Sequence, residues 1–243
     1  MRLTRCHLDQ PLAVGATVTL TEQTAQHLLR VLRLGVGDSC VLFNGDGHDC
    51  DARIVAVGKR RAQAEITARR HIDNESPLRV TLLQGLARGE KMDWIIQKAT
   101  ELGVAHILPV VSERCEVRLD AERAGKRLAH WREVAISACE QSGRAQVPVV
   151  AIPQPLEWAA GLRSGRGYVL DPCCGHSLRE NLPATPGDCT LAVGPEGGWS
   201  PRDLELLHAA GFEGIRLGRR VLRTETAGLA ALAALQALTG DLT

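Results

Sequence analysis

Residues 78–111 read LRVTLLQGLARGEKMDWIIQKATELGVAHILPVV, and the change of period inside this stretch decides the fold. Leu78–Gln84 is a strand-like run. Met92, Ile95, Ile96, Ala99 and Leu102 then recur at helical spacing and are closed by Gly103, after which Ala105–Val111 is strand-like again. Strand, helix and strand in succession predict a parallel sheet covered by helices.

The same alternation continues downstream. Leu128, Trp131, Ala135, Ala138 and Cys139 stripe a second long helix, Pro148, Pro153 and Pro155 break the connection that follows, and strands are predicted at Gly167–Leu170, Thr190–Val193 and Gly214–Leu217. Ser200-Pro201-Arg202-Asp203 sets a capping residue before a proline at the first helical position, with an acid three residues after the cap. This predicts a helix from Pro201 to Gly211. The segment from Glu225 to Leu238 is apolar on nearly every face, with Leu229, Leu232, Leu235 and Leu238 among alanines. Such a helix calls for cover on all sides, part of it from a second subunit, so a homodimer is expected.

Upstream, the polar stretch from His71 to Pro77 marks a change of pattern. Before it, short apolar runs at Thr17–Leu20, Cys40–Phe43, Arg53–Val57 and Gln63–Thr67 are separated by glycine-rich turns and interrupted by a helical stretch from Glu22 to Leu32. The expected organisation is a small β-barrel over 1–72 and an α/β domain over 77–243. Asn44–Asp51 is acidic, but counting a calcium loop from Asn44 puts Val55 where the bidentate glutamate belongs, so a hairpin is expected.

Composition narrows the class. The 243 residues are 44% hydrophobic and 23% charged, within the globular range. Aromatic residues are only 3%, so Leu, Val, Ile and Ala must fill the core. No run approaches the roughly 18 apolar residues of a spanning helix, and Met1–Arg5 lacks the apolar core of a signal peptide. A cytoplasmic protein with no membrane partner is expected. Net charge is +1, yet four lysines among 29 basic residues leave arginine dominant, the better fork for phosphate, although nucleotide composition alone produces the same bias. Eight cysteines form no C-x-x-C pair and no zinc-spaced cluster, so free thiols and no metal site are expected.

Chemistry is sought first among known signatures. The Walker phosphate loop, G-x-G-x-x-G, G-x-S-x-G and H-E-x-x-H are all missing. There remain two loops at predicted strand ends, Gly194-Pro195-Glu196-Gly197-Gly198 and Gly218-Arg219-Arg220-Val221-Leu222-Arg223-Thr224-Glu225-Thr226. Ligands of open α/β sheets sit beyond the carboxyl ends of strands, and glycine lets backbone approach a ligand closely, though it serves a plain turn equally well.

With these loops, further separated motifs occur in order: Arg30-Val31-Leu32-Arg33, Arg88-Gly89-Glu90-Lys91-Met92, Gln97-Lys98 through Glu101-Leu102-Gly103-Val104, Glu113-Arg114-Cys115, Cys139-Glu140-Gln141-Ser142-Gly143-Arg144, and Val221 through Ala227. In these the chain closely resembles the bacterial 16S ribosomal RNA uridine-N3 methyltransferases, ribosomal RNA small subunit methyltransferase E, of the SPOUT superfamily. One departure is Arg219, where the family usually has proline.

The resemblance implies an α/β SPOUT methyltransferase domain closed by a C-terminal trefoil knot, a rare exception to the no-knot rule, and a small N-terminal PUA-like β-barrel that binds RNA. It implies S-adenosylmethionine as cofactor and methyl transfer to N3 of a uridine in 16S ribosomal RNA of the small subunit. Rival readings are a SPOUT enzyme with another RNA target, such as a ribose 2′-hydroxyl, and an RNA-binding or assembly protein without catalysis.

The family pattern assigns cofactor contacts to Leu170, Pro172, Gly194, Glu196, Gly197, Leu217, Gly218, Val221, Leu222 and Thr224. Leu170, Leu217 and Leu222 would form an adenine slot or serve as core. Thr224 reads as the cap of the last helix, and Glu225 at its start is stabilised by the helix dipole whether or not it does chemistry. Arg223, between an apolar pair and a cap, needs an anion or solvent. Arg223 and Glu225 are therefore the catalytic candidates. RNA-facing candidates are Arg2, Arg5, Arg30, Arg33, Arg88, Lys91, Arg114 and Arg144. Cys173-Cys174 invites a redox reading that no neighbouring residue favours.

Overall fold

The computed structural model describes residues 4–59, 61–181 and 187–242. Two units divide the chain: Met1–Glu75 with Cys139–Val147, and Ser76–Ala138 with Pro148–Thr243.

In the first unit, β1 (Arg5–His7), β2 (Thr17–Thr19), β3 (Ser39–Phe43), β4 (His48–Val57) and β5 (Ala62–His71) form, among the described residues, a five-stranded sheet in the order β1-β3-β4-β5-β2. Only the β1–β3 pairing is parallel. Strict alternation in β5 buries Ala62, Ala64 and Ile66 and exposes Gln63, Glu65 and Thr67, the period-two signature of a half-buried strand. Register shifts at Asp51/Ala52 and Ile54/Ala56 mark bulges between β4 and β5, and bulges bend the strands that carry them. The helix predicted over 22–32 is realised in two parts. Thr21 caps α1 (Glu22–Gln26) by accepting from Thr24 N at 3.1 Å, and a π-helical turn, His27–Val31, follows. Arg33 then takes φ 58°, and Leu34 N bonds Leu28 O at 3.0 Å.

Two RNA-facing assignments are corrected here. Arg5 is 8% exposed. Its guanidinium meets Asp49 Oδ1 at 2.7 Å and Oδ2 at 3.1 Å, and donates to the carbonyls of Cys139 at 2.7 Å and Arg144 at 3.1 Å. Arg144 is 5% exposed, with Nε 3.0 Å from Glu75 Oε1 and Nη2 2.5 Å from Oε2. Both arginines hold the first unit together, and their buried donors are unavailable to phosphate. The segment Cys139–Val147, expected from the sequence in the second domain, belongs to this unit.

The second unit contains β6 (Arg79–Gly85), α2 (Lys91–Glu101), β7 (His106–Val111), α3 (Ala121–Ser142, whose end lies in the first unit), β8 (Val149–Val150), β9 (Gln154–Pro155), α4 (Leu156–Ala160), β10 (Arg166–Leu170), β11 (Asp188–Val193), α5 (Pro201–Ala209), β12 (Phe212–Ile215) and α6 (Thr224–Thr239). Its strands run β12-β10-β11-β6-β7-β8, with β9 also on β7, and every pairing is parallel. Leu83, Leu108, Val110, Val169 and Ala192 pack under Leu156, Leu207 and Phe212. The parallel order brings the carboxyl ends of β10, β11 and β12 to one edge, where such sheets bind ligands.

The last strand covers Phe212–Ile215, two residues earlier than predicted, because Phe212 is buried and pairs with Gly167 while Leu217 lies beyond the ladder. The Ser200 cap forms as predicted: Ser200 Oγ accepts from Asp203 N at 3.0 Å, and Asp203 Oδ2 accepts from Ser200 N at 2.9 Å. Ser200→Ala is expected to cost about 1 kcal/mol of stability, read as a shift in urea midpoint without a change of slope. Helix α6 buries Gly228, Ala231, Leu232 and Leu235, but Ala230, Ala237 and Leu238 are exposed. The chain alone therefore covers one side of this helix.

All eight cysteines are free. Burial pushes the thiols of Cys6, Cys139 and Cys189 up to about 12, which keeps them protonated and unreactive.

Candidate functional site

A cavity of about 640 Å³ opens at the carboxyl ends of β10, β11 and β12. Leu170, Asp171, Pro172 and Cys173 form one wall. Gly194, Pro195, Glu196, Gly198 and Trp199 form a second, and Leu217, Arg220, Val221, Leu222 and Arg223 a third. The first turn of α6 closes it with Thr224, Glu225 and Ala227, and Lys91 and Arg114 reach its rim.

Local chemistry explains these walls. Gly198 takes φ 68° and its N–H bonds Pro195 O at 2.9 Å, so the loop after β11 is a tight turn that needs glycine there. The strand β6 passes directly beneath it: a Cβ on Gly85 would lie 2.5 Å from Pro195 N and 2.9 Å from Gly194 C. Arg114 braces the turn from the side, donating to Trp199 O at 3.1 Å and Gly197 O at 3.4 Å.

The two glutamates of the cavity differ in commitment. Glu196 Oε1 accepts from Arg88 N at 3.0 Å and from Lys91 Nζ at 2.9 Å. Burial raises the Glu196 carboxyl, but these hydrogen bonds outweigh it and hold the group below the usual glutamate range. Glu225 Oε2 is buried without a hydrogen-bond partner and stands 3.9 Å from Lys91 Nζ. Arg223 occupies the N-cap position of α6 with extended backbone, and its side chain makes no capping bond. It is exposed, lines the cavity and has no ion-pair partner among the described residues.

Most of the predicted cofactor residues converge here, with three corrections. Gly197 is not in the wall; a Cβ there would meet Arg114 O at 3.0 Å and Arg114 Cβ at 3.1 Å, so its small size accommodates Arg114. Gly218 is also outside the wall and supplies the turn, at φ 74°. Thr224 is the first helical residue rather than the cap, and its hydroxyl donates to Gly194 O at 2.5 Å.

The RNA-facing candidates scatter. Lys91 and Arg114 belong to the cavity rim. Arg88 is exposed and paired with Glu116 at 2.5 Å. Arg30 and Arg33 are exposed on the first unit. Arg2 lies outside the described residues. Cys173 faces the cavity, and Cys174 donates to Gly214 O at 3.0 Å. Asp171, Gly198, Trp199 and Arg220 also line the cavity, although the sequence does not mark them as site residues; the position of Gly198 and Arg220 within the two glycine-bearing loops is the available signal. Among the described residues no three His, Cys, Asp or Glu side chains are grouped to hold a metal, and no helix is long and apolar enough to cross a membrane.

The RNA methyltransferase domain model matches residues 74–236. A ribosomal RNA small subunit methyltransferase E of Buchnera aphidicola is 32% identical over 99% of this chain and 98% of that protein. The chain belongs to the ribosomal RNA small subunit methyltransferase E family. A member from Neisseria gonorrhoeae, solved bound to S-adenosyl methionine, is 42% identical and superposes with a TM-score of 0.91 over 100% of both chains. A Legionella pneumophila protein solved with the bound cofactor SAM is 37% identical, with a TM-score of 0.95 over 100% of both chains. The RNA methyltransferase PUA domain model matches residues 20–67. This member of the methyltransferase E family thus has the expected α/β SPOUT class with a PUA-like N-terminal part.

Proposed function

We propose that this protein transfers a methyl group from S-adenosylmethionine to N3 of a uridine in 16S ribosomal RNA of the small subunit, acting as a cytoplasmic homodimer. The observation that carries the reading is the cavity of the second unit, in which Arg223, without an ion-pair partner among the described residues, and Glu225, whose Oε2 has no hydrogen-bond partner and only Lys91 at 3.9 Å, stand beside an apolar slot. Family membership supports the cofactor and the ribosomal RNA. The volume lies in the usual range for a small-molecule site. Leu170, Leu217 and Leu222 suit an adenine, main-chain groups of the loops suit its edge, and Arg220 suits a carboxylate.

When bound, the cofactor supplies an electrophilic methyl group on a sulfonium centre. N3 of uridine is protonated at neutral pH, so the protein must accept a proton and stabilise the anion left behind. Arg223 is the cation for the negative charge spread onto a uracil carbonyl oxygen. Glu225 is the proton acceptor, because Glu196 is already held by Arg88 N and Lys91. The walls fix the approach of N3 to the methyl group, and alignment of this kind lowers a barrier by several kcal/mol.

In this reading the first unit, residues 1–75 with 139–147, is the RNA-binding domain and the second, residues 76–138 with 148–243, the methyltransferase domain, whose last segment closes as a trefoil knot. The exposed side of α6, with Ala230, Ala237 and Leu238, supports the dimer. Arg30 and Arg33 are the phosphate-binding arginines of the first domain. Replacing both with alanine should flatten the plot of log RNA affinity against log salt by about 0.7 for each arginine that neutralises a phosphate. An unchanged slope would move the RNA surface to the second domain. The reaction itself is tested by mass mapping of ribosomal RNA from a strain lacking the protein, then treated with the purified enzyme and cofactor. Methylation restored at uridine N3 supports the reading; a restored 2′-O-methyl group assigns another target, and no restored mark removes the catalytic reading.

A further inference from the structure

Gln84 is a fully buried glutamine in the middle of a parallel sheet, paired in register with Val193 of β11 and Pro109 of β7. A buried polar group left unpaired is costly, and of this amide only the nitrogen is engaged, since Oε1 has no hydrogen-bond partner among the described residues. Its Nε2 donates to Gly85 O at 3.0 Å and to Thr224 Oγ1 at 2.9 Å. The Thr224 hydroxyl has one proton, and donates it to Gly194 O at 2.5 Å. The direction of the relay is therefore set: amide to hydroxyl to carbonyl.

The relay joins the two halves of the cavity. Gly194 begins the loop after β11, and Thr224 begins the helix that follows the loop carrying Val221, Leu222 and Arg223. Gly228, one turn further along α6, lets the helix come this close. A Cβ there would lie 3.3 Å from Val193 Cγ2 and 3.4 Å from Gln84 Oε1. Gln84 itself does not line the cavity.

We propose that Gln84 is a positioning residue that sets the spacing between the Gly194–Gly198 and Val221–Arg223 walls through Thr224, and so determines cofactor affinity; this rests on the methyltransferase reading above. Gln84→Leu keeps the volume and removes both donors. It should raise the KM for S-adenosylmethionine and weaken its binding about ten-fold, the size of one buried hydrogen bond. The single-turnover rate at saturating cofactor and the affinity for RNA should stay within about two-fold, since a spacing defect acts on ground-state binding.

The test is calorimetric titration of the full-length protein with S-adenosylmethionine, beside single-turnover kinetics, for wild type, Gln84→Leu, Thr224→Val, the double variant and Thr224→Ser. Both single variants should lose affinity, the double variant should lose no more than the worse single, and Thr224→Ser should recover most of what Thr224→Val loses. Additive losses, or a rate that falls at unchanged KM, would overturn the relay. Should Gln84→Leu fail to fold, the Thr224→Val and Thr224→Ser pair still decides, because equal affinities in the two would overturn it as well. Absence of cofactor binding by the wild type would instead strike the functional reading.

Discussion

Arg223→Ala is expected to lower the single-turnover rate of methyl transfer by about 100-fold while cofactor affinity changes little, the loss typical of one preorganised donor aimed at developing charge. The side chain has no structural duty that would explain its place. It stands at the cavity wall, makes no capping bond to α6 and has no ion-pair partner among the described residues. Truncation therefore removes no visible structural support. The pH effect that distinguishes the variant from the wild type is expected to follow the ionisation of the uridine, whose anion has lost its cation partner. Raising pH ionises more of the uridine without help, and the variant should be partly rescued while the wild type gains less. Loss of cofactor binding with no rescue would assign Arg223 to the cofactor and pass the target-base role to another residue.

Gly85→Ala is expected to weaken cofactor binding by at least about 100-fold in calorimetry. The new Cβ would sit 2.5 Å from Pro195 N, 2.6 Å from Pro195 Cδ and 2.9 Å from Gly194 C. None of these is the far end of a flexible side chain, and Gly85 itself is tied into β6 by pairing with Val110. The glycine loop must move by a fraction of an ångström to an ångström, and misplacement on that scale has effects of this size. Overpacking should also cost about 1–3 kcal/mol of stability. A variant that binds as tightly as wild type would mean that the loop after β11 does not form the cofactor wall.

Much of the second unit is legible in the sequence because its elements advertise their period locally. The stripe from Met92 to Leu102, the Ser200 cap and the apolar runs at 78–84 and 105–111 each need only neighbouring residues to be read, and they form α2, the start of α5, β6 and β7. β1 escapes such a reading because three residues carry no period, and its parallel partner β3 lies 36 residues away, as in the pairing of Arg5 with Val41. Arg5 and Arg144 are misassigned from sequence because charge density does not report burial; their partners Asp49 and Glu75 are 44 and 69 residues distant. The glycines of the two loops are legible as a group but not singly: Gly198 lines the cavity, whereas Gly197 makes room for Arg114. Gln84 looks like the polar end of an apolar run, since Thr224, its partner, is 140 residues later.

The membership of Cys139–Val147 in the first unit bears on how the chain matures during translation. Arg5 meets its carbonyl partners on Cys139 and Arg144, Glu75 meets Arg144, and Gly47 N meets Ala145 O only after residues 139–147 exist. At roughly 5–20 residues per second, the span from residue 75 to residue 147 takes several seconds to make. The N-terminal sheet must wait that long for its last pieces, with the buried Arg5–Asp49 pair incompletely solvated by protein. Vectorial synthesis therefore does not complete these units in sequence order. The nascent chain is obliged to carry an unfinished first unit while the second is already being elongated, and a nascent fragment ending before Cys139 lacks the partners that Arg5 and Glu75 find in residues 139–147.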